Sequence, residues 1–189
     1  MTQTRILALV GSLRADSFNR KLAEAAVQTA PEGVTITLFE GLGDIPFYNQ
    51  DIDAPGLVPA AAQALRDAVT ESDGLLLVTP EYNGTLPAVL KNGIDWASRP
   101  YGVGALKDRP VAVVSGSISP NAAQWAHGDA VKALGVAGAK VVESAHLHFG
   151  TFDQRFAETH PREDAEALAQ LAATVRELVQ AASPELVSA

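Results

Sequence analysis

The chain of 189 residues contains no cysteine at all. That absence excludes thiol nucleophiles, iron–sulfur clusters, zinc–thiolate sites and disulfide staples together. Basic residues are scarce as well: 14 Lys and Arg face 22 Asp and Glu, giving a net charge of −8 and an isoelectric point near 4.9. No large basic surface is available, so binding to nucleic acid or to an anionic membrane is not expected. Any anionic ligand must be captured locally, by backbone N–H groups and a few cations. Long apolar runs are missing too, since none approaches the roughly eighteen residues a membrane span needs. The opening "MTQTRILALVGSLR" has one Arg before a short apolar run that enters a polar glycine loop. It reads as a first core strand and not as a signal peptide, and the expected location is the cytoplasm.

What is present is 47% apolar content, enough for one well-buried core. One domain over residues 1–189 is expected, with only the tail after Ser183 polar enough to read as disordered. Short β-branched or apolar runs alternate with stretches of helical periodicity, the pattern of a parallel sheet covered on both faces. Strands are expected at Arg5–Val10, Thr35–Phe39, Gly74–Thr79, Pro110–Ser115 and Lys140–Glu143. Helices are expected at Asn19–Ala30, Leu57–Glu71, Leu86–Arg99, Asn121–Leu134 and from about Arg162 to Ala182. The strands "ILALV" and "GLLLVT" are apolar throughout and belong at the centre of the sheet. Right-handed crossovers then give an α/β doubly wound sheet, which binds ligands beyond the carboxyl ends of its strands.

The first strand runs directly into "GSLRADSFNRKLA", a loop that opens a helix. Gly11 permits a tight turn, Ser12 and Ser17 offer hydroxyls, Arg14 a guanidinium, and Asn19 sits where an N-cap would. Converging on the positive end of a helix, these groups suit a dianionic phosphate. Neither G-x-x-x-x-G-K-[ST] nor G-x-G-x-x-G occurs there, so a terminal monophosphate fits better than a nucleoside triphosphate or a pyrophosphate. The bland reading is an ordinary Ser/Asn helix cap with a solvated Arg. The third strand ends in "PEYNGTLPAVLKNGIDWASRP", where Pro80 and Gly84 shape a turn and Pro87 occupies the first turn of the next helix. This turn presents the peptide groups of Glu81 to Gly84, and the Tyr82 ring, beside the first loop.

Together, "GSLRADSFNRKLA" and, about seventy residues later, "TPEYNGTLPAVLKNGIDWASR" resemble the NADPH-dependent FMN reductase family of quinone, azo-dye and chromate reductases. "DIPFYNQDID" (44–53) is similar to the family's acidic loop, and "PVAVVSGS" to its fourth strand. The resemblance implies a flavodoxin-like fold: a doubly wound five-stranded parallel sheet in the order 2-1-3-4-5. It implies FMN as cofactor, NADPH or NADH as electron donor and a small-molecule acceptor, such as a quinone, azo compound, free flavin or metal oxyanion, reduced by ping-pong hydride transfer. Gly11, Ser12, Arg14, Ser17, Phe18 and Asn19 would hold the phosphate and ribityl chain. Pro80, Glu81, Tyr82, Asn83 and Gly84 would line the isoalloxazine ring, and Ser117 would close its far side. Lys91, Asn92, Asp95 and Trp96 would lie on a helix used between subunits, which implies a homodimer or homotetramer; for Trp96 a plain core position is the alternative.

After the fourth strand many relatives carry a glycine pair and an arginine, where this chain has "SGSISPNAAQWAHGDA". Pro120, Trp125 and His127 stand in their place, which bears on the nicotinamide and acceptor pocket. No side chain is expected to be catalytic in the strict sense, because the cofactors carry hydride chemistry. His146 and His148 share a strand face without a third ligand near them in sequence, so no metal is expected. Asp44, Asp51 and Asp53 read as loop solvation. Two other functions stay open: a flavin electron carrier without NAD(P)H turnover of its own, and a domain that binds another phosphorylated ligand or merely caps a helix.

Overall fold

The computed structural model describes residues 3–183. The tail expected to be disordered lies outside that range. The strands are β1 (Thr4–Val10), β2 (Val34–Leu38), β3 (Gly74–Thr79), β4 (Pro110–Gly116), β5 (Lys140–Val141) and β6 (Leu147–Phe149). The helices are α1 (Phe18–Gln28), α2 (Ala60–Glu71), α3 (Ala88–Ala97), α4 (Gln124–Val136), α5 (Phe152–Arg155) and α6 (Ala165–Ala182). The sheet runs β2-β1-β3-β4-β5 with every pairing parallel, the order expected. The fifth position differs from expectation. β5 ends after two residues, a 3-10 turn at Glu143–Ala145 drops Ala145 into the core, and β6 then resumes pairing with β4 at Val114↔Leu147.

Strand alternation divides the core into two layers. Ile6, Ala8 and Val10 of β1, with Leu76 and Val78 of β3, pack against α1, α5 and α6. Leu7 and Leu9, with Leu75 and Leu77, pack against α2, α3 and α4. Each leucine so buried contributes on the order of 1.5–3 kcal/mol, which is why these strands stay central.

The helix starts deviate from the sequence reading for local reasons. Ser17 is the N-cap of α1, accepting from the Arg20 N–H at 3.4 Å, so Asn19 lies inside the helix and not at its cap. Proline precedes both α2 and α3: Pro59 and Pro87 occupy the cap positions and fix the entry. α6 starts at Ala165 because Asp164 caps it, accepting from Ala167 N–H at 2.8 Å, while Pro161–Glu163 forms a separate 3-10 turn. α4 starts at Gln124, not Asn121, because Ala122 and Ala123 are both left-handed (φ 55° and 58°).

Candidate functional site

Three loops meet at the carboxyl edge of the sheet. The first, after β1, begins at Gly11, whose N–H donates to Val78 O at 2.8 Å. Gly11 does not have a positive φ. Its lack of a side chain is required by packing, since a Cβ would come within 2.5 Å of Leu90 and 3.0 Å of Pro80. Leu13, Arg14, Ala15 and Asp16 are exposed, Ser12 is half-buried and Ser17 is buried. Among the described residues, no backbone N–H from Ser12 to Ser17 donates to a protein acceptor. Six consecutive donors are therefore without a protein acceptor among the described residues at the start of α1, whose first turn contains no acidic residue. Among the described residues the Arg14 guanidinium makes only a 3.5 Å contact with Asp16 O and pairs with no carboxylate. Asp16, the one acid in the loop, is tied to Lys21, which holds its carboxyl below the usual range.

Asn19 and Phe18 turn inward. The buried Asn19 donates Nδ2 to Gly116 O at 3.0 Å, anchoring α1 to the end of β4, and its Oδ1 is buried without a partner. The Phe18 ring packs 5.4 Å from that of Phe152. Both residues hold the loop in place from behind.

The second loop is a tight turn. Tyr82 and Thr85 exchange backbone hydrogen bonds, and Asn83 and Gly84 between them have φ of 52° and 78°, the paired left-handed conformation of a hairpin turn. The N–H groups of Glu81, Asn83 and Gly84 have no acceptor among the described residues. The Glu81 carboxylate is engaged elsewhere: Oε2 accepts from the N–H groups of Trp125 and Ala126, both at 3.1 Å. It thus caps α4, whose own cap residue, Ala123, offers no side-chain acceptor. Glu81→Ala is expected to cost about 1–2 kcal/mol of stability in urea unfolding, as the loss of a charged cap does. Glu81→Gln, which keeps one acceptor oxygen, should recover about half; equal losses would refute the capping role.

Ser117 begins the third loop with its backbone fully engaged. Its N–H donates to Phe149 O and its carbonyl accepts from Phe152 N, while Oγ donates to Ser119 O at 3.3 Å. Beside it lies a feature that sequence spacing did not reveal. His127 of α4 packs against both His146 and His148, with ring centroids 4.6 and 4.3 Å apart. Ser115 Oγ meets His148 Nδ1 at 2.8 Å, whereas both nitrogens of the buried His127 have no partner among the described residues. Among the described residues no three potential ligands are arranged to hold a metal ion. Burial, then the neighbouring His148 and His146, pushes His127 down to about 3, and burial with His146 lowers His148. The fold thus accepts His127 only as the neutral imidazole. Between pH about 6.5 and 3 the unfolded chain binds a proton that the folded chain refuses, so stability falls as the pH is lowered through that window. Urea unfolding at pH 7, 6 and 5 should show wild type losing stability relative to His127→Phe by up to about 1.4 kcal/mol per pH unit; parallel pH profiles would refute it.

Two of the α3 residues that the resemblance placed on a helix between subunits, Asn92 and Trp96, are engaged inside the chain. Asn92 is buried, accepting from Tyr48 N–H at 2.8 Å and donating to Ile45 O and Pro46 O. Trp96 is fully buried and donates Nε1 to Pro46 O at 2.8 Å. These two residues therefore stitch α3 to the loop within one chain and are not available to a partner. Asp53 also departs from the solvated-loop reading, pairing with Arg66 at 2.8 Å with both side chains about 10% exposed, while Asp44 and Asp51 are exposed. Lys91 and Asp95 pair with each other on the open face of α3.

The arrangement as a whole sets a run of N–H groups without acceptors among the described residues at a helix start, next to a turn whose amides also lack acceptors. A family model described as NADPH-dependent FMN reductase matches residues 4–154. A 2-hydroxy-1,4-benzoquinone reductase from Burkholderia sp is 44% identical over 114 residues, covering 60% of this chain and 61% of that protein. A quinone reductase from Pseudomonas putida is 46% identical over 117 residues, covering 62% of this chain and 61% of its own length. The matched stretch thus spans about three-fifths of these curated relatives. In three dimensions the chain is similar to FerB, a flavoenzyme NAD(P)H:(acceptor) oxidoreductase from Paracoccus denitrificans, with a TM-score of 0.73 and 28% identity over 94% of this chain and 98% of FerB. With the model matching four-fifths of its length, the chain belongs to the NADPH-dependent FMN reductase family.

Proposed function

We propose that this protein is an FMN-dependent NAD(P)H oxidoreductase of a single domain that reduces a small acceptor such as a quinone. The observation that carries the proposal is the run of N–H groups from Ser12 to Ser17 without acceptors among the described residues, set at the start of α1 with Arg14, which pairs with no carboxylate among those residues, beside it. Amide donors at a helix start and a guanidinium suit a phosphate such as that of FMN, and among the described residues no protein acceptor competes for these amides. Ser12, Arg14 and Ser17 would hold the phosphate. The free N–H groups of Glu81, Asn83 and Gly84 would meet the polar edge of the isoalloxazine ring, with Tyr82 alongside and Ser117 at the far side. Asn19 and Phe18 act from behind, fixing the start of the helix. FMN held by these residues would supply the hydride chemistry between NADPH or NADH and the acceptor.

The test is an anaerobic titration of the FMN-loaded protein with NADPH and with NADH. Bleaching of the flavin absorbance by either nucleotide, and its return on adding a quinone, is the expected result. Yellow protein that neither nucleotide bleaches would leave an electron carrier instead, and protein that stays colourless after mixing with FMN and desalting would refute the flavin reading.

We further propose that the working unit contains at least two copies. A groove of about 1150 Å³ between α3 and α4 carries Lys91, Asp95, Asp129 and Lys132 around an apolar floor. Tyr101 and Val136 on its margin are more than four-fifths exposed, and a second copy would cover them while crossing opposite charges. A solution mass equal to the 19.8 kDa of one chain would refute this. No helix among the described residues is long and apolar enough to cross a membrane, and a cytoplasmic setting suits a reductase supplied by NAD(P)H.

A further inference from the structure

The chain has two tryptophans, and they are placed in opposite ways. Trp96 is wholly buried, whereas Trp125 is 65% exposed. The exposed indole is nonetheless not loose, because its backbone is anchored through the turn that faces the proposed flavin. Its N–H donates to Glu81 at 3.1 Å, and one helical turn later Asp129 accepts from Thr85 Oγ1 at 2.5 Å. Glu81 and Thr85 bracket the hairpin turn, so that turn and the first turn of α4 are held as one unit. The indole lies beside the turn itself: a Cβ added to Gly84 would lie 3.5 Å from Trp125 Cε3, in ordinary van der Waals contact. Tyr82, on the same turn, is 47% exposed. Two aromatic side chains thus stand over a turn that offers free amides, in the segment where this sequence departs from the family pattern.

We propose that Trp125 is a specificity-determining residue that stacks on planar aromatic acceptors at the flavin-facing turn and favours them over compact, non-aromatic ones. The proposal rests on the flavin reading above. In the step it serves, a quinone gains a hydride from the reduced cofactor and a proton from solvent to become the hydroquinone, and NADPH is oxidised to NADP+. An indole held in place loses little freedom on stacking, and one such contact is worth about a three- to tenfold change in affinity. Gly84 suits the turn, because its φ of 78° is one that a residue with a side chain adopts only under strain.

The test uses the FMN-loaded full chain with two acceptors: menadione, which is planar and aromatic, and ferricyanide, which takes one electron per ion and has no ring to stack. Trp125→Ala is expected to lower the ratio of kcat/KM for menadione to that for ferricyanide about fivefold, chiefly through KM. Trp125→Phe should stay within about twofold of wild type. Independently, menadione added without NADPH should quench tryptophan emission saturably in wild type and not in Trp125→Phe. An unchanged ratio in Trp125→Ala, or equal quenching in Trp125→Phe, would overturn the proposal while wild type is yellow and bleached by NADPH. A colourless wild type would overturn the flavin reading and this inference with it.

Discussion

Removing both Arg14 and Ser17 side chains is expected to weaken FMN binding at least a hundredfold while the apo-protein keeps its fold. Each side chain would make a charge-assisted hydrogen bond to the phosphate, worth about 1.5–3 kcal/mol, so the pair supplies about 3–6 kcal/mol. The lower bound corresponds to roughly two orders of magnitude in Kd. Neither group must be stripped from a stronger partner first. Arg14 has only the 3.5 Å contact to Asp16 O, and the Ser17 hydroxyl accepts a long 3.4 Å bond from Arg20, leaving its own proton to donate. Ser17 also caps α1, so Arg14→Ala with Ser17→Gly is the better pair: glycine at an N-cap costs a few tenths of a kcal/mol where alanine costs about 1. Flavin-fluorescence titration reads the affinity, and a urea midpoint of the apo-protein reads the fold. An affinity within threefold of wild type, with the fold intact, would remove the phosphate assignment and leave the Ser12–Ser17 loop a simple helix start.

The parts of this structure that were legible in the sequence are those fixed by local chemistry. Uninterrupted apolar runs at Ile6–Val10 and Leu75–Val78 can exist only as strands covered on both faces, and β1 and β3 are central. The loop after β1 was readable as the lead-in to a helix for the same reason, since a serine between a strand and an apolar periodic stretch favours capping, and Ser17 caps α1. What was not legible depends on partners far away in sequence. Glu81 was read for its peptide group, and nothing near it in sequence showed that its carboxylate caps a helix 44 and 45 residues later. Asn19 looked like a cap because Asn favours caps; its real partner is Gly116, across the sheet. The start of α4 was misplaced because two consecutive alanines in left-handed conformation carry no sequence signal, being disfavoured there by their Cβ atoms. The fifth strand read as continuous through Glu143 because "KVVE" favours extended backbone, but burying Ala145 required a turn. His127 lies 19 residues before His146, too far for ligand-spacing arguments to bring the two rings together.

Gly116→Ala is expected to be the most damaging single substitution near the site, costing about 3 kcal/mol or more. Gly116 has no positive φ, so the penalty is not one of backbone conformation. The Phe152 ring occupies the space: a Cβ on Gly116 would lie 2.7 Å from Phe152 Cε2 and closer still to its Cζ. Phe152 is 2% exposed, with Phe18 at 5.4 Å and Phe156 at 5.7 Å, so it has nowhere to retreat without moving both neighbours. Overpacking of this kind costs about 1–3 kcal/mol where the core can give and more where it cannot. The damage also reaches the ligand, because Gly116 O accepts from Asn19 and Phe18 follows the Ser17 cap, so a displaced Phe152 tilts the start of α1. A double-mutant cycle isolates the cause. Phe152→Leu alone should cost about 1–2 kcal/mol by leaving a cavity, but combined with Gly116→Ala it gives the new methyl room. The double variant should therefore be more stable than Gly116→Ala alone, with a coupling of at least about 1 kcal/mol and recovery of FMN affinity. Additive losses would mean that the methyl group does its harm somewhere other than at the Phe152 ring.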